Sequence, residues 1–381
     1  MLINSKNLVI FIDGFAYYFL ENSRFLRTFS KKVKEVPGLG YSINIKSELF
    51  GGYQPDDIGY FCEWMYDKNS PLKKYAFLFN VLSPISLIGS YYLKRMAHML
   101  VSRIINKNIS VIPFEYLRYF SAYDKSPYEN GFVFPTVFNK SGSLLKIIYS
   151  DFPKSSSRDQ EIFRKTKVAI NQKTHDNIFV ACADLDHINH KYGIGSDMSI
   201  EKIKKLDKML EEVCNLFTEK NPEGNIFILS DHGFVNVKDN VRLGLQNRFG
   251  KISESTFIYF VDATLARIWV FDSVLKKEIF EYLDNLWFGR LINEEERKRF
   301  GVTDKKLCDY IFLLNEGIVF SDSFVVKKDI KSLHGYHPDL ESQKGIFLTN
   351  NKNFHERESI TALEIFYLLS SVFNYEKNNI Y

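Results

Sequence analysis

The stretch FILSDHGF, residues 227–234, decides how this chain is read. An apolar run stops abruptly at Ser230-Asp231-His232-Gly233, so an apparently buried strand ends by setting a carboxylate beside an imidazole. Asp and Gly are turn residues, and these eight residues alone read equally well as a strand end with no further role. What separates the two readings is whether other strands of the chain end in the same kind of residue.

They do. Four short apolar runs, NLVIFI (7–12), NIFVACA (177–183), NIFILS (225–230) and GIFLT (345–349), are continuous rather than alternating. That pattern predicts central strands of a parallel sheet covered on both faces. Between the second and third, SIEKIKKLDKMLEEVCNLFTEK (199–220) places Ile200, Ile203, Leu206, Met209, Leu210, Val213, Leu216 and Phe217 at helical spacing, with Ser199 as the expected N-cap. A last helix is expected over 359–374.

The first strand runs into Asp13-Gly14, and the second into ADLDHINH, where Asp186 and His190 stand four apart. The third runs into Asp231-His232, and LHGYHPD, with His334, precedes the fourth. Ligand sites in open α/β sheets gather beyond the carboxyl ends of the strands, so these groups should converge in space. Singly each is ordinary: Asp13-Gly14 is a turn, and Asp186/His190 an exposed helix pair. Jointly, three carboxylates and three of the chain's eight histidines make a mixed oxygen and nitrogen donor set. Such a set suits two Zn2+-like ions and is too rich in nitrogen for Ca2+ or Mg2+ alone.

The bulk numbers fit a large soluble α/β protein: 381 residues, 45% hydrophobic and 25% charged. A net charge of +4 with no concentrated basic stripe argues against binding a nucleic-acid duplex. The cysteines at 62, 182, 214 and 308 lack CxxC spacing and read as free thiols of a reducing, cytoplasmic compartment. No signal peptide is expected, because the first twelve residues read as a core strand. YAFLFNVLSPISLIGSYYL (75–93) has no charge over nineteen residues, but Asn80, Pro84, Gly89 and three serines weaken a membrane span. A buried or lid-forming helical hairpin, or an apolar surface touching a lipid-like substrate, is the preferred reading, with membrane association through 75–93 as the alternative. Residues 64–125 are taken as a helical lid insertion. Residues 262–330 (LARIWVF, VLKKEIFEYLDNLW, NEEERKRF, YIFLL) form a small α+β subdomain, and 1–63 plus 126–261 plus 331–381 the metal-binding core.

The order Asp13, then D-x-x-x-H at 186–190, then D-H-G at 231–233, then H-G at 334–335 resembles the alkaline-phosphatase superfamily. Within it, the order is most similar to the nucleotide pyrophosphatase/phosphodiesterase (type I phosphodiesterase) branch. The resemblance covers roughly 5–60, 131–262 and 330–375. It implies an alkaline-phosphatase-like core of mostly parallel sheet between helices. It also implies two divalent ions, Zn2+ or alternatively Mn2+, with Asp13, Asp231 and His232 on one and Asp186, His190 and His334 on the other. The family nucleophile lies ten residues before the Gly of a T-G-x-x-P segment. Aligning Gly52 and Pro55 puts it at Ser42, which would bind the first ion; Ser47 is the competitor, with helix capping as its other reading. The implied activity is phosphodiester hydrolysis through a phosphoseryl intermediate. Monoester hydrolysis, phosphonate hydrolysis and phosphoryl transfer are alternatives on the same site. The implied substrate is a small phosphoester: a nucleotide, a glycan or a lipid head group. No Ser-x-Pro-x-Arg follows Ser42, which argues against a sulfatase. The family's phosphate-contacting Asn falls on Glu63, a departure that bears on substrate handling. His187 and His337 flank the ligand motifs as outer-sphere or substrate contacts, or as plain surface residues.

Overall fold

A seven-stranded sheet organises the part of the chain that carries these motifs. Its order is Ser359–Thr361, Lys31–Val36, Gly345–Thr349, Asn225–Leu229, Asn7–Ile12, Asn177–Cys182 and Leu145–Ile148. The computed structural model describes residues 6–375 apart from 88–90, 108, 110, 123–127, 129–133, 140–143, 150–157 and 327–328. The chain divides into two compact units, the first made of 1–54, 125–236 and 331–381.

Three asparagines pin the register of the central strands. Asn7 lies opposite both Asn177 and Asn225. Its amide donates to Asn177 Oδ1 at 2.7 Å, and the Asn225 amide donates to Asn7 Oδ1 at 2.9 Å. With the three parallel strands started level, Asp13 and Asp231 leave the sheet at the same height. A slip of one residue would also turn every buried side chain to the opposite face. Leu8, Ile10 and Ile12 pack on one face with Ile203, Leu206 and Leu210, while Val9 and Phe11 pack on the other with Phe50, Ile365 and Phe366. Each such side chain, fully buried, contributes about 1.5–3 kcal/mol.

The strand Gly345–Thr349 corrects the expectation of four parallel strands. It runs antiparallel to both Asn225–Leu229 and Lys31–Val36. A continuous apolar run reports burial on both faces, which a strand has whichever way it points, so the pattern carried no direction. The reversal has a consequence for the site: residues preceding this strand reach the rim where the parallel strands end. His334 joins them there although it precedes its strand.

The helix Asp197–Lys220 is capped by Ser196, whose Oγ accepts from the Ser199 N–H at 3.2 Å. Ser199 itself is buried and donates to Asn189 Oδ1 at 2.7 Å, so it is not the cap. The C-terminal helix begins later than its periodicity suggested. Residues Ser359–Thr361 form an edge strand, and Thr361 with Glu364 makes a capping box opening Ala362–Val372.

The second unit comprises 55–124 and 237–330. Its antiparallel sheet runs Phe257–Val261, Leu265–Val270, Tyr310–Leu314, Gly289–Leu291. Arg267 is fully buried at its centre: Nε donates to Asp262 Oδ2 at 2.9 Å, and Nη1 donates to the carbonyls of Phe61 and Trp64. One guanidinium thus ties the stretch read as a lid to the stretch read as a subdomain, and the two fall in a single unit together with 237–261. The helices Ala76–Leu87 and Tyr91–Ile105 pack on one another within it. Among the described residues no helix is long and apolar enough to cross a membrane. All four cysteines are buried and free.

Candidate metal centre

Asp13 follows directly on the strand Asn7–Ile12, and Gly14 then turns the chain away with φ +69°. A Cβ at Gly14 would sit 2.5 Å from the Phe234 ring, so the turn needs glycine on two counts. The Gly14 N–H donates to Asp231 Oδ1 at 3.1 Å, joining two strand ends. Around that junction two groups of potential ligand atoms assemble, each within 4.8 Å: Asp13, Asp231 and His232, and Asp186, His232 and His334. His190 lies beside the second group rather than in it, with Nε2 3.3 Å from Asp186 Oδ1 and its ring 5.3 Å from that of His334.

Five buried atoms here have no hydrogen-bond partner: Asp13 Oδ1, Asp186 Oδ1, Asp231 Oδ2, His232 Nε2 and His334 Nδ1. His232 Nε2 is 3.4 Å from Asp13 Oδ1 and 3.6 Å from Asp231 Oδ1, close but not aligned as hydrogen bonds. A buried polar group left unpaired costs about 1–3 kcal/mol. Five at one rim form a set that divalent cations would complete, and the donor chemistry fits such ions. The opposite ring nitrogens are already engaged. His232 Nδ1 is 3.0 Å from the Gly233 carbonyl and His190 Nδ1 2.9 Å from the Ser332 carbonyl, so each directs Nε2 inward.

The electrostatics describe a crowded anionic cluster. Burial acts to raise the Asp13 carboxyl, but the Lys46 ammonium and His232 outweigh it and hold Asp13 well below the usual carboxylate range. Asp231 is pushed up to about 6 by burial and by the charge of Asp13. Burial lowers His232, yet Asp231 and Asp13 lift it to about 9. His334, stacked on His232 with ring centroids 3.6 Å apart and planes at 9°, is held well below its ordinary value by burial and by the two neighbouring imidazoles.

Ser42 opens the helix Ser42–Gly51; its side chain lies outside the described residues. The residues around it fasten this helix start to the cluster. The Tyr41 ring meets His334 edge to face at 5.5 Å, and Lys46, one turn on, places Nζ 2.7 Å from Asp13 Oδ2. The Tyr41 side chain does not cap the helix. Ser47 is neither a cap nor at the helix end: it is buried mid-helix and donates to the Ile43 carbonyl at 2.7 Å.

Three functional or supporting residues escaped the sequence reading. Lys46 stands four residues after Ser42 on one helix face, a spacing that could have flagged it. Glu35, fully buried with neither oxygen partnered, is pushed well up by burial and by nearby Asp231, and no sequence pattern marks it. Asp184, two residues before Asp186, serves the framework: it accepts from Lys202 at 3.2 Å and from the Asp159 N–H at 3.2 Å. Of the flanking histidines, His187 is exposed and His337 sits half-buried 3.7 Å from Asp339. Glu63 belongs to the second unit, just before the strand Trp64–Tyr66.

The family model described as type I phosphodiesterase / nucleotide pyrophosphatase matches residues 106–277. The chain resembles the nucleotide pyrophosphatase/phosphodiesterase branch of the alkaline-phosphatase superfamily. Murine ectonucleotide pyrophosphatase/phosphodiesterase 5, as an inactive variant in complex with AMP, aligns with a TM-score of 0.64 at 16% identity over 98% of this chain and 96% of that one. The human protein of the same name aligns with 0.64 at 15% identity over 97% and 95%. Phosphonoacetate hydrolase from Sinorhizobium meliloti 1021, in complex with phosphonoacetate, aligns with 0.67 at 12% identity over 97% and 95%. At these identities the structures establish the alkaline-phosphatase-like fold. The matched family and these neighbours are phosphodiesterases, pyrophosphatases and phosphonate hydrolases, and the neighbours bind small phosphorus-containing ligands. No curated protein sequence matches the chain.

Proposed function

We propose that the chain is a two-metal phosphoric ester hydrolase of the phosphodiesterase/nucleotide pyrophosphatase kind, acting through a phosphoseryl intermediate on Ser42. The observation that carries the reading is the convergence of five buried, partnerless nitrogen and oxygen atoms at one rim of the sheet. Asp13, Asp231, His232 and Ser42 would hold one ion, and Asp186, His190 and His334 the other, with His232 close to both groups. Zn2+ suits the nitrogen content and Mn2+ the carboxylates. When bound, such ions lower the pKa of a coordinated hydroxyl and offset charge on the attacking and leaving oxygens of a displacement at phosphorus.

The chain's own residues do the rest. The helix Ser42–Gly51 begins beside the cluster, where its positive dipole end would favour an arriving phosphoryl group. Ser42 Oγ forms the bond to phosphorus as the bond to the ester oxygen breaks, and the alcohol leaves. Water then attacks the phosphoserine, releasing phosphate or a monoester and restoring the hydroxyl. Tyr41 and Lys46 hold the helix start against His334 and Asp13. The AMP held by the murine neighbour supports a nucleotide as substrate, and the buried free cysteines support action in the reducing cytoplasm.

The deciding assay compares a chromogenic phosphodiester with its monoester, using metal-loaded protein and Ser42→Ala. Diester turnover that disappears in the variant bears the reading out. Monoester preference moves the assignment to a phosphatase on the same site, and turnover undiminished in Ser42→Ala removes Ser42 as nucleophile.

A further inference from the structure

The outer face of one helix is apolar where it should be polar. In the helix Tyr91–Ile105, Leu93, Met96, Leu100 and Ile104 fall at i, i+3, i+7 and i+11 and all face solvent, Met96 with 65% of its surface exposed. The preceding helix, Ala76–Leu87, adds Phe77, 82% exposed, and Val81 one turn on. The inner side of Tyr91–Ile105 is already committed. Val101 is buried, the His98 ring reaches the carbonyls of Lys94 and Ile112 and stacks on Phe114, and Lys94 and Ser102 line a cavity of about 950 Å3. A soluble helix normally turns its apolar stripe inward; a second stripe turned outward marks an interaction face.

Charge identifies the partner. Residues 68–114 contain seven Lys and Arg and not one Asp or Glu, which leaves the rest of the chain net negative. Arg103 stands exposed next to Met96 at the edge of the stripe, at the rim of the cavity, whereas Arg95 lies on the cavity side of the helix; neither makes an ion pair among the described residues. Lys73, by contrast, is already paired with Glu254 at 2.9 Å. An apolar stripe with a cation at its edge and no carboxylate over this length matches an interface that is hydrocarbon beneath and anionic at its surface. The two helices, 12 and 15 residues long, reach only about 18 and 22 Å, short of the roughly 30 Å hydrocarbon core, so they would lie in the interface and not cross it.

We propose that this helical hairpin is a docking surface for a membrane rich in anionic phospholipid. It enters the interface through Phe77, Val81 and the stripe from Leu93 to Ile104, while Arg103 at the stripe's edge meets the headgroups. The inference is independent of the chemistry at the metal centre.

The test is co-sedimentation of the full chain with phosphatidylcholine vesicles, with and without phosphatidylglycerol, at low and high salt. Wild type should pellet with the anionic vesicles and be released by salt. Met96→Glu/Leu100→Glu changes only exposed positions and should cut binding more than about a hundred-fold. Arg103→Gln should cut it by about five-fold. Both variants should keep the wild-type melting curve by circular dichroism, and either one alone suffices if the other does not fold. Wild type remaining in the supernatant with both vesicle types overturns the proposal. So does a wild-type dimer that Met96→Glu/Leu100→Glu converts to monomer without vesicle binding, which would make a second copy of the chain the occupant.

Discussion

Loading the metal-free protein with Zn2+ or Mn2+ should release at least one proton per chain at pH 7.5, and the structure says where it comes from. His232 is pushed up to about 9 in the metal-free cluster, so nearly all of it is protonated at pH 7.5. Its Nδ1 is engaged with the Gly233 carbonyl, so the proton that must leave is the one on Nε2, the nitrogen facing Asp13 and Asp231. Asp231, at about 6, is already largely ionised at that pH, and Lys46 keeps its proton because Asp13 raises it further. His232 therefore supplies one proton, and His190, which burial lowers but Asp186 lifts above its ordinary value, adds part of a second. The assay is calorimetric titration in two buffers of different ionisation enthalpy, and the slope of apparent enthalpy against buffer enthalpy reads the count. At a free metal concentration a hundred times Kd, the same binding should stabilise the fold by about 2.7 kcal/mol. Tight binding with no proton release would mean that Nε2 is not a ligand atom. An equal release from His232→Ala would mean that the proton comes from elsewhere, and either outcome dismantles the site as drawn.

Ser42→Ala should lower turnover by at least about a thousand-fold while leaving metal affinity within a few-fold, whereas Ser47→Ala should leave turnover near wild type. The metal-free protein should lose stability as pH rises from about 6.5 to about 9. A histidine whose folded value is raised contributes fully below its unfolded value and loses that contribution on passing the folded one, here about 3 kcal/mol for His232, read by urea unfolding across the range. Lys202→Met strands two buried carboxylates, Asp159 at 2.6 Å and Asp184 at 3.2 Å, and should destabilise the chain by about 3–5 kcal/mol in chemical denaturation without altering the metal-to-protein ratio.

The donor set was legible because metal chemistry draws on few residue types and a parallel sheet collects them at one rim. Asp13, Asp186, Asp231, His232 and His334 stand out once the residues flanking each apolar run are compared. The asparagines that open three of those runs, Asn7, Asn177 and Asn225, were equally visible and announce their register. Strand direction was not legible, since Gly345–Thr349 is apolar throughout for reasons of burial alone. Sequence marks Asp186 by its spacing to His190 but assigns Asp184 no role, because Lys202, which claims Asp184, approaches from another helix. Two carboxylates of one ADLDH motif thus fall to different places, Asp184 to the framework and Asp186 to the candidate metal centre. The organisation of the second unit was hidden for a similar reason. Arg267 reads as one more residue of an alternating strand until its contacts with Phe61 and Trp64 are seen.

Lys46 allows the last step, because its position at first suggests a competitor for the metal. An ammonium 2.7 Å from a ligand carboxylate could stand where an ion should be. The two oxygens of Asp13 argue otherwise. Lys46 contacts Oδ2, while Oδ1 is the buried, partnerless atom 3.4 Å from His232 Nε2. One oxygen is therefore held and the other left open, the arrangement by which an outer partner fixes the orientation of a ligating carboxylate. Charge points the same way. The three carboxylates, opposed by Lys46 and a protonated His232, leave the empty cluster one negative charge from neutral; without Lys46 the deficit doubles. Lys46→Met should thus weaken metal binding about 10–100-fold and lower the melting temperature of the metal-free protein, and Lys46→Arg should restore much of both. A competitor would behave in the opposite sense, and tighter metal binding in Lys46→Met would assign Lys46 that role.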